Sequence, residues 1–254
     1  MKTKTISVPL NNNGFLDVIS NSFCDFLQSG TSRSTAKLKP LHGTIAKDLA
    51  QRLGVGYYIQ SQGWGDDKEG DIQGRYVDKK VDITVCNADT KEAIAGIAVK
   101  FVMQNYAQNS NNYFESMLGE TANIRANHYP YFQIFIILDR LPYYQKSKNK
   151  DTKQLVIHHW ETFTEHNAAK YAILSQDKID MFFHTPNKTL LYVVHIADNN
   201  ELLGKTTEAY MDFYKQCNTP MCLSPNRYPN FGNSIILNDY ETFIDKVYHT
   251  IKAL

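Results

Sequence analysis

Residues 14–29, GFLDVISNSFCDFLQS, set Phe15, Val18, Ile19, Phe23, Phe26 and Leu27 at three- and four-residue steps, the spacing of an amphipathic helix. Gly30 to Ser34 is a polar break. Pro40 opens a second helix over 40–53, with Leu41, Ile45, Leu49 and Leu53 on one stripe and Gly54 past its end. YYIQ at 57–60 predicts a short strand, and GWGDDKEGD at 63–71 a glycine-rich acidic loop without the spacing of a phosphate cradle. IQGRYVDKKVDITV at 72–85 alternates in two runs that meet at Asp78-Lys79, which predicts a β-hairpin. ADTK at 88–91 turns the chain into a third strand, 93–102. NYFESMLGETANIRAN at 112–127 predicts a helix, and the unbroken apolar run YFQIFIIL at 131–138 a strand buried on both faces. Strand, helix and strand form a crossover unit, so 93–102 and 131–138 are expected to run parallel.

Beyond 139 the pattern loosens. YYQKSKNKDTK reads as a polar loop carrying Lys146, Lys148, Lys150 and Lys153, either solvated or touching phosphate. HWETFTEHNAAKYAIL predicts a helix, TLLYVVHIA (189–197) a strand, TTEAYMDFYKQ a helix, 218–230 a Pro/Asn-rich loop, NSIILN a strand and 238–252 a last helix. No repeat, low-complexity block or linker interrupts the 254 residues, so a single α/β domain is expected.

Composition changes this picture little. The net charge of +1 excludes a globally basic nucleic-acid binder, so any basic surface has to be a local patch. No run of 18 apolar residues predicts a membrane span, and MKTKTISVPLNNNG has no apolar core of a signal peptide; a cytoplasmic protein is expected. Cys24, Cys86, Cys217 and Cys222 read as free thiols, because Cys217 and Cys222 have no second ligand pair near them. His158 and His159 in VIHHW lack a companion metal pattern and read as packing or surface residues.

The candidate chemistry lies in the hairpin and the third strand. Alternation puts Val81, Ile83 and Val85 on one face of the second hairpin strand and Lys80, Asp82 and Thr84 on the other. In the third strand Ile94, Gly96, Ala98, Lys100 and Val102 share a face. Antiparallel pairing across 88–91 can set Asp82 and Lys100 on the same side of neighbouring strands. A lysine within so apolar a strand needs a partner, since an unpaired buried ion costs several kcal/mol. A structural ion pair is one reading; a divalent-metal site, with Asp82 as a hard oxygen ligand and Lys100 acting on a water and a phosphate, is the other.

An order of helix, hairpin, strand, helix and strand, with Asp82 in the second strand and Lys100 late in the third, resembles the PD-(D/E)xK nuclease superfamily, and most closely its type II restriction endonucleases. The likeness covers about residues 40–140, and VKFVMQNYAQNSNNYFESMLGETANIRAN strengthens it. It implies a restriction-endonuclease-like α/β fold, a central mixed sheet flanked by helices (an αβββαβ core), with 141–254 as recognition and dimerisation elaborations. It implies Mg²⁺-dependent, site-specific cleavage of double-stranded DNA giving 5′-phosphate ends, in a prokaryotic homodimer paired with a cognate DNA methyltransferase. Another nuclease of this superfamily, for repair or junction resolution, or a non-catalytic DNA-binding protein of the same fold are the alternatives.

Residue by residue, the resemblance makes Asp82 a metal ligand, with Val81 where the pattern has proline, and Lys100 catalytic. The pattern also asks for an acid two positions before the lysine, where this chain has Ala98. Three readings follow. The acid has moved to the next helix, with Glu120 at the edge of that helix's apolar side and Glu115 further round; or Ala98 was introduced in place of an acid; or the fold is catalytically dead. Glu120 is then the second metal ligand. His42, which opens the second helix, and Asp48 read as cap or surface residues. Gln104, Asn105, Tyr106, Gln108, Asn109 and Asn111 form an amide-rich turn that either reads base edges or caps the helix. Arg125, Lys146, Lys148 and Arg227 are further candidates for DNA contact.

Overall fold

A computed structural model describes residues 9–29, 38–147, 154–197, 199–217 and 221–254 of the chain. The first two helices are α1 (Asn12–Ser29) and α2 (Lys39–Leu53). All four leucine and isoleucine positions of the α2 stripe are buried, and Gly54 ends the helix at φ 82°. The strands β1 (Tyr57–Ser61), β4 (Ile83–Asn87), β5 (Ala93–Val102), β6 (Tyr131–Leu138) and β9 (Lys188–His195) lie side by side in that order. The free edge of β9 is shared by β10 (Cys222–Leu223) at its end and β11 (Ile235–Leu237) at its start. β1, β4 and β5 pair antiparallel, whereas β5, β6 and β9 run parallel, with α3 (Tyr106–Arg125) as the crossover between β5 and β6. Every residue of β6 is buried, as an apolar run without alternation requires.

Helices cover both faces of this mixed sheet. The register aligns Lys100 with Phe135 and Leu191, and Phe101 with Ile136 and Tyr192, so the two rows face opposite ways. On the Tyr192 side, Phe15 of α1 meets Tyr192 edge-on at 5.0 Å and stacks at 4.1 Å on Tyr240 of α6 (Tyr240–Lys252). On the Phe135 side, Phe135 meets Tyr171 of α4 (Glu165–Leu174), which in turn meets Phe114 of α3. Asp48 is buried within the first layer, not placed at a surface or cap. Its carboxylate accepts from Leu10 N–H, Tyr240 O–H and Arg52 Nε–H, tying α2 to α6. A carboxylate with that many donors remains soluble inside a core only because they replace its water.

The predicted hairpin is shorter and interrupted. β2 (Gly70–Ile72) and β3 (Lys79–Val81) pair antiparallel across the connection 73–78, and the chain breaks at Asp82 before β4. Alternation therefore does not carry through. Val81 packs in a small cluster with Ile72, Ile124 and Tyr131, whereas Ile83 and Val85 join the main core. The glycine-rich segment also supplies β2, not loop alone.

Three further expectations are corrected. α3 starts at Tyr106, so most of the amide-rich stretch is helix, not turn. The segment expected as a polar loop begins inside β7 (Arg140–Lys146), which pairs antiparallel with β8 (Leu155–Thr162); the residues of HWETFT are strand and connection, and α4 begins only at Glu165. Residues 155–163 are rich in β-branched and aromatic side chains that suit a strand, and the helical spacing holds only from 165 onward. Finally, part of the expected 218–230 loop forms β10 beside β9. The polar break 30–34 and Lys148, Lys150 and Lys153 lie outside the described residues.

α3 is held from both ends. At its start, Glu161 of β8, itself buried, accepts from the N–H groups of Tyr106 (2.6 Å) and Ala107 (3.1 Å). These are among the amides that a helix leaves without partners, and a carboxylate there also meets the positive end of the helix dipole. Asn105, in the left-handed region at φ 51°, exchanges bonds with the Tyr144 backbone of β7. At the other end, the Arg125 guanidinium donates to the carbonyls of Ile179, Phe182 and Thr185.

Glycine is required where α2 crosses the turn after β1. A Cβ on Gly43 would lie 2.2 Å from the Gly63 carbonyl oxygen, and one on Gly63 2.2 Å from that of Lys39. Both obstacles are backbone. Gly43→Ala is expected to cost about 2–3 kcal/mol, within the range for overpacking, and to lower the urea midpoint without changing its slope. An unchanged midpoint would show that α2 can lift off this turn.

Candidate functional site

The break at Asp82 is where the chain exposes chemistry. Beyond the Ile83–Ile97 pair, β5 continues without a backbone partner from β4. The Asp82 carboxylate takes that place, accepting from Val99 N–H at 2.7 Å through Oδ2, while Ser61 Oγ donates to the Asp82 carbonyl at 2.7 Å. The residue is thus fixed from two strands, its side chain by β5 and its backbone by β1, and it lines a cavity of about 470 Å³. Ala98, Lys100, Gln133, Phe135, Lys79 and Glu120 contribute to its walls.

Glu120 reaches the cavity from the middle of α3, where Lys79 Nζ stands 3.0 Å from Oε2 and the Tyr131 hydroxyl donates to Oε1. Glu115 is exposed, does not line the cavity and acts instead on Lys170, whose ammonium feels its charge. The structure therefore brings Asp82 and Glu120 together and leaves Glu115 apart. Lys100 does not form the expected ion pair with Asp82. Its side chain leaves the strand toward the rim, and the ammonium stands 4.7 Å from the centre of the Tyr113 ring. It was the apolar flanking sequence that suggested a buried ion; the strand's open end lets the lysine reach solvent.

Burial is the main cause of the electrostatic setting. It raises the Asp82 carboxyl from 3.8 to about 6; the charge of Glu120 adds to this, and the Val99 N–H, Lys79 and Lys100 work against it. The partial desolvation of Lys100 at the cavity rim also lowers its ammonium, with Asp82 opposing. Tyr131 is held well above the ordinary phenol value by burial and by Glu120, so it stays a donor.

His42 stands behind this pair, buried and not at the surface as its position at a helix start suggested. Its Nδ1 is 3.9 Å from Asp82 Oδ1, and neither ring nitrogen has a hydrogen-bond partner. Burial lowers its pKa to about 4, with Glu69 opposing. His42 is therefore a neutral imidazole at pH 7, and the contact is not an ion pair.

Among the described residues no group of three or more His, Cys, Asp and Glu is placed to hold a metal ion. Asp82 and Glu120 supply two hard oxygen donors to one cavity, and the Gln133 amide lies among its walls. That set fits a cation such as Mg²⁺, which keeps several waters and binds through one or two carboxylates together with substrate phosphate.

Of the remaining sequence candidates, Gln104, Asn105 and Asn109 line a second cavity of about 280 Å³, which shares Lys100 and Tyr113 with the first. Gln108 and Asn111 are exposed on α3, Tyr106 is buried against Phe163, and the Arg125 donors are engaged with carbonyls. Lys146 and Arg227 are exposed and line neither cavity. His158 and His159 are exposed on β8, with His159 stacked on Tyr143. Lys79, Tyr131 and Gln133 escaped sequence reasoning, as did the burial of His42. Gln133 had a signal, as the one polar residue in YFQIFIIL; Lys79 and Tyr131 had none, since their role depends on where α3 lies.

Compared with known proteins, the chain matches no family model, no curated protein and no solved structure. No helix among the described residues is long and apolar enough to cross a membrane. What the geometry gives is an α/β protein with a mixed central sheet flanked by helices and a polar cavity at a strand break.

Proposed function

We propose that the protein is a Mg²⁺-dependent endonuclease of the PD-(D/E)xK type, acting on double-stranded DNA as a restriction enzyme. The observation that carries this reading is that Asp82, Glu120 and Lys100 line one cavity, with Glu120 entering from α3 where Ala98 offers no acid. Asp82 and Glu120 would hold the cation, which when bound would neutralise phosphate charge and make water more acidic. Asp82 is oriented for this by Val99 N–H and Glu120 by Lys79 and Tyr131. Lys100, with its lowered proton affinity, would donate from its ammonium to a phosphate oxygen, or as the neutral amine take a proton from the attacking water. Asp82 is ionised above about pH 6, so activity should rise through that region. Cutting both strands of a palindrome asks for two such sites, hence a homodimer.

Incubating supercoiled plasmid with the chain and Mg²⁺ tests the proposal. Discrete fragments, lost in EDTA and in Lys100→Met, support it. Intact plasmid with tight duplex binding would favour a non-catalytic DNA-binding protein instead, and intact plasmid without binding removes both.

A further inference from the structure

The connection 73–78 is exposed and yet closely held. Asn123, on the turn of α3 that follows Glu120, is largely buried and directs three side-chain hydrogen bonds to this segment. Its Oδ1 accepts from Tyr76 N–H (2.9 Å) and Val77 N–H (3.3 Å), and its Nδ2 donates to the Val77 carbonyl (2.8 Å). Arg75 N–H donates to the Asn123 carbonyl, and Asn127 Nδ2 to that of Gln73, at 2.8 Å each. Gly74 allows the close approach: a Cβ there would lie 2.4 Å from the Val77 carbonyl oxygen.

What this framework presents points outward. Tyr76 is 83% exposed and Val77 63%. Arg75 is exposed too, and among the described residues neither its side chain nor that of Tyr76 makes a hydrogen bond, ion pair or ring contact. Two residues beyond Val77 the chain reaches Lys79 and Lys80, both in the cavity wall. A rigid loop bearing an unpartnered cation and an outward aromatic, with two lysines leading into the cavity, has the chemistry that meets a nucleic-acid duplex. Arginine takes a phosphate or a base edge, and tyrosine stacks on or wedges against bases. Ordering the loop beforehand removes an entropy cost from binding.

We infer that residues 73–78 form a duplex-reading element, in which Arg75 binds the DNA backbone and Tyr76 the groove beside the cut phosphate. This inference rests on the nuclease reading for its substrate. The test is anisotropy of a fluorescent duplex of random sequence, with Ca²⁺ in place of Mg²⁺ and over a salt series, together with plasmid cleavage in Mg²⁺. Both side chains are exposed, so Arg75→Ala and Tyr76→Ala should melt as the parent does. Arg75→Ala is expected to lower the slope of log affinity against log salt by about one. Tyr76→Ala should weaken binding roughly tenfold at an unchanged slope. Gly74→Ala, which displaces the loop, should reproduce the Tyr76 loss.

If plasmid is cut but both variants bind and cut as the parent does, the inference is overturned and the nuclease reading stands. Variants that lose affinity in a chain that never cuts support the loop as a duplex contact and remove the enzyme, and with it the cut phosphate. A parent chain that neither binds nor cuts duplex overturns both.

Discussion

Asp82→Asn is expected to lose at least about a hundredfold in DNA cleavage and, at pH 7.5, to be more stable than the parent protein. The two effects share a cause. Asn keeps an oxygen for the Val99 N–H but cannot bring negative charge to a cation. In the folded chain burial lifts the Asp82 carboxyl from 3.8 to about 6, so the folded state holds this proton more tightly than the unfolded one. The penalty of ionisation is absent below the unfolded value, grows as pH rises between the two, and is complete above about 6. Each pH unit of displacement corresponds to about 1.4 kcal/mol, and partial solvent access together with the lost attraction to Lys100 reduces the total to roughly 1–2 kcal/mol. For a chain of this size that is an increase of about 3–6 °C in melting temperature. The gain should fade toward pH 4.5. His42 has the opposite dependence, since burial lowers its folded pKa to about 4 and stability falls as pH drops from the unfolded value toward it. His42 is neutral in the folded parent at pH 7.5, so its titration does not enter the comparison at that pH. A variant less stable than the parent at pH 7.5, or a gain undiminished at pH 4.5, would show that Asp82 is not held under electrostatic cost.

Glu120→Gln should cost about two decades of cleavage, and adding Ala98→Glu should return at least one of them. The pair conserves charge while moving a carboxylate from α3 to β5. Position 98 lines the same cavity, two residues before Lys100 on its face of the strand and beside Gln133 in register. A glutamate there meets Asp82 without leaving the sheet, whereas Glu120 arrives from the helix above. Measuring the Mg²⁺ dependence of plasmid cleavage in the single and double variants decides the matter. If the double variant remains as inactive as Glu120→Gln, then the carboxylates are not interchangeable, and Glu120 is a partner for Lys79 and Tyr131 rather than the displaced acid.

Residues 40–140 were largely legible because their signals are local. The stripe from Leu41 to Leu53, the turn before Ala93 and the unbroken run of β6 each declare an element within one window, and the crossover rule makes β5 and β6 parallel. Asp82 could be marked as a site residue, but not as the point where a strand breaks. The break depends on β2 and β3 folding over β5, with Ile72 against Gly96, which no short window contains. The same holds for His42, whose burial reflects α2 lying against the β1 turn, and for the Arg125 carbonyl clamp, where a DNA contact was expected. Past residue 139 the strand-favouring run of β8 lies directly before the helical spacing of α4, and only pairing with β7 marks where one ends and the other begins.

The carboxylate of Glu161 at the start of α3 bears on modularity. A chain with a recognisable core in its middle and a long remainder invites the view that the remainder could be cut away or exchanged for another. Here the remainder supplies β9 to the interior of the sheet and a buried acid to the first amides of the helix that carries Glu120. A fragment ending near residue 140 would lose β9, β10 and β11 from the sheet and leave that helix uncapped. Transplanting the second half from a relative would have to carry its own equivalent of Glu161, so the two halves of the chain must change together.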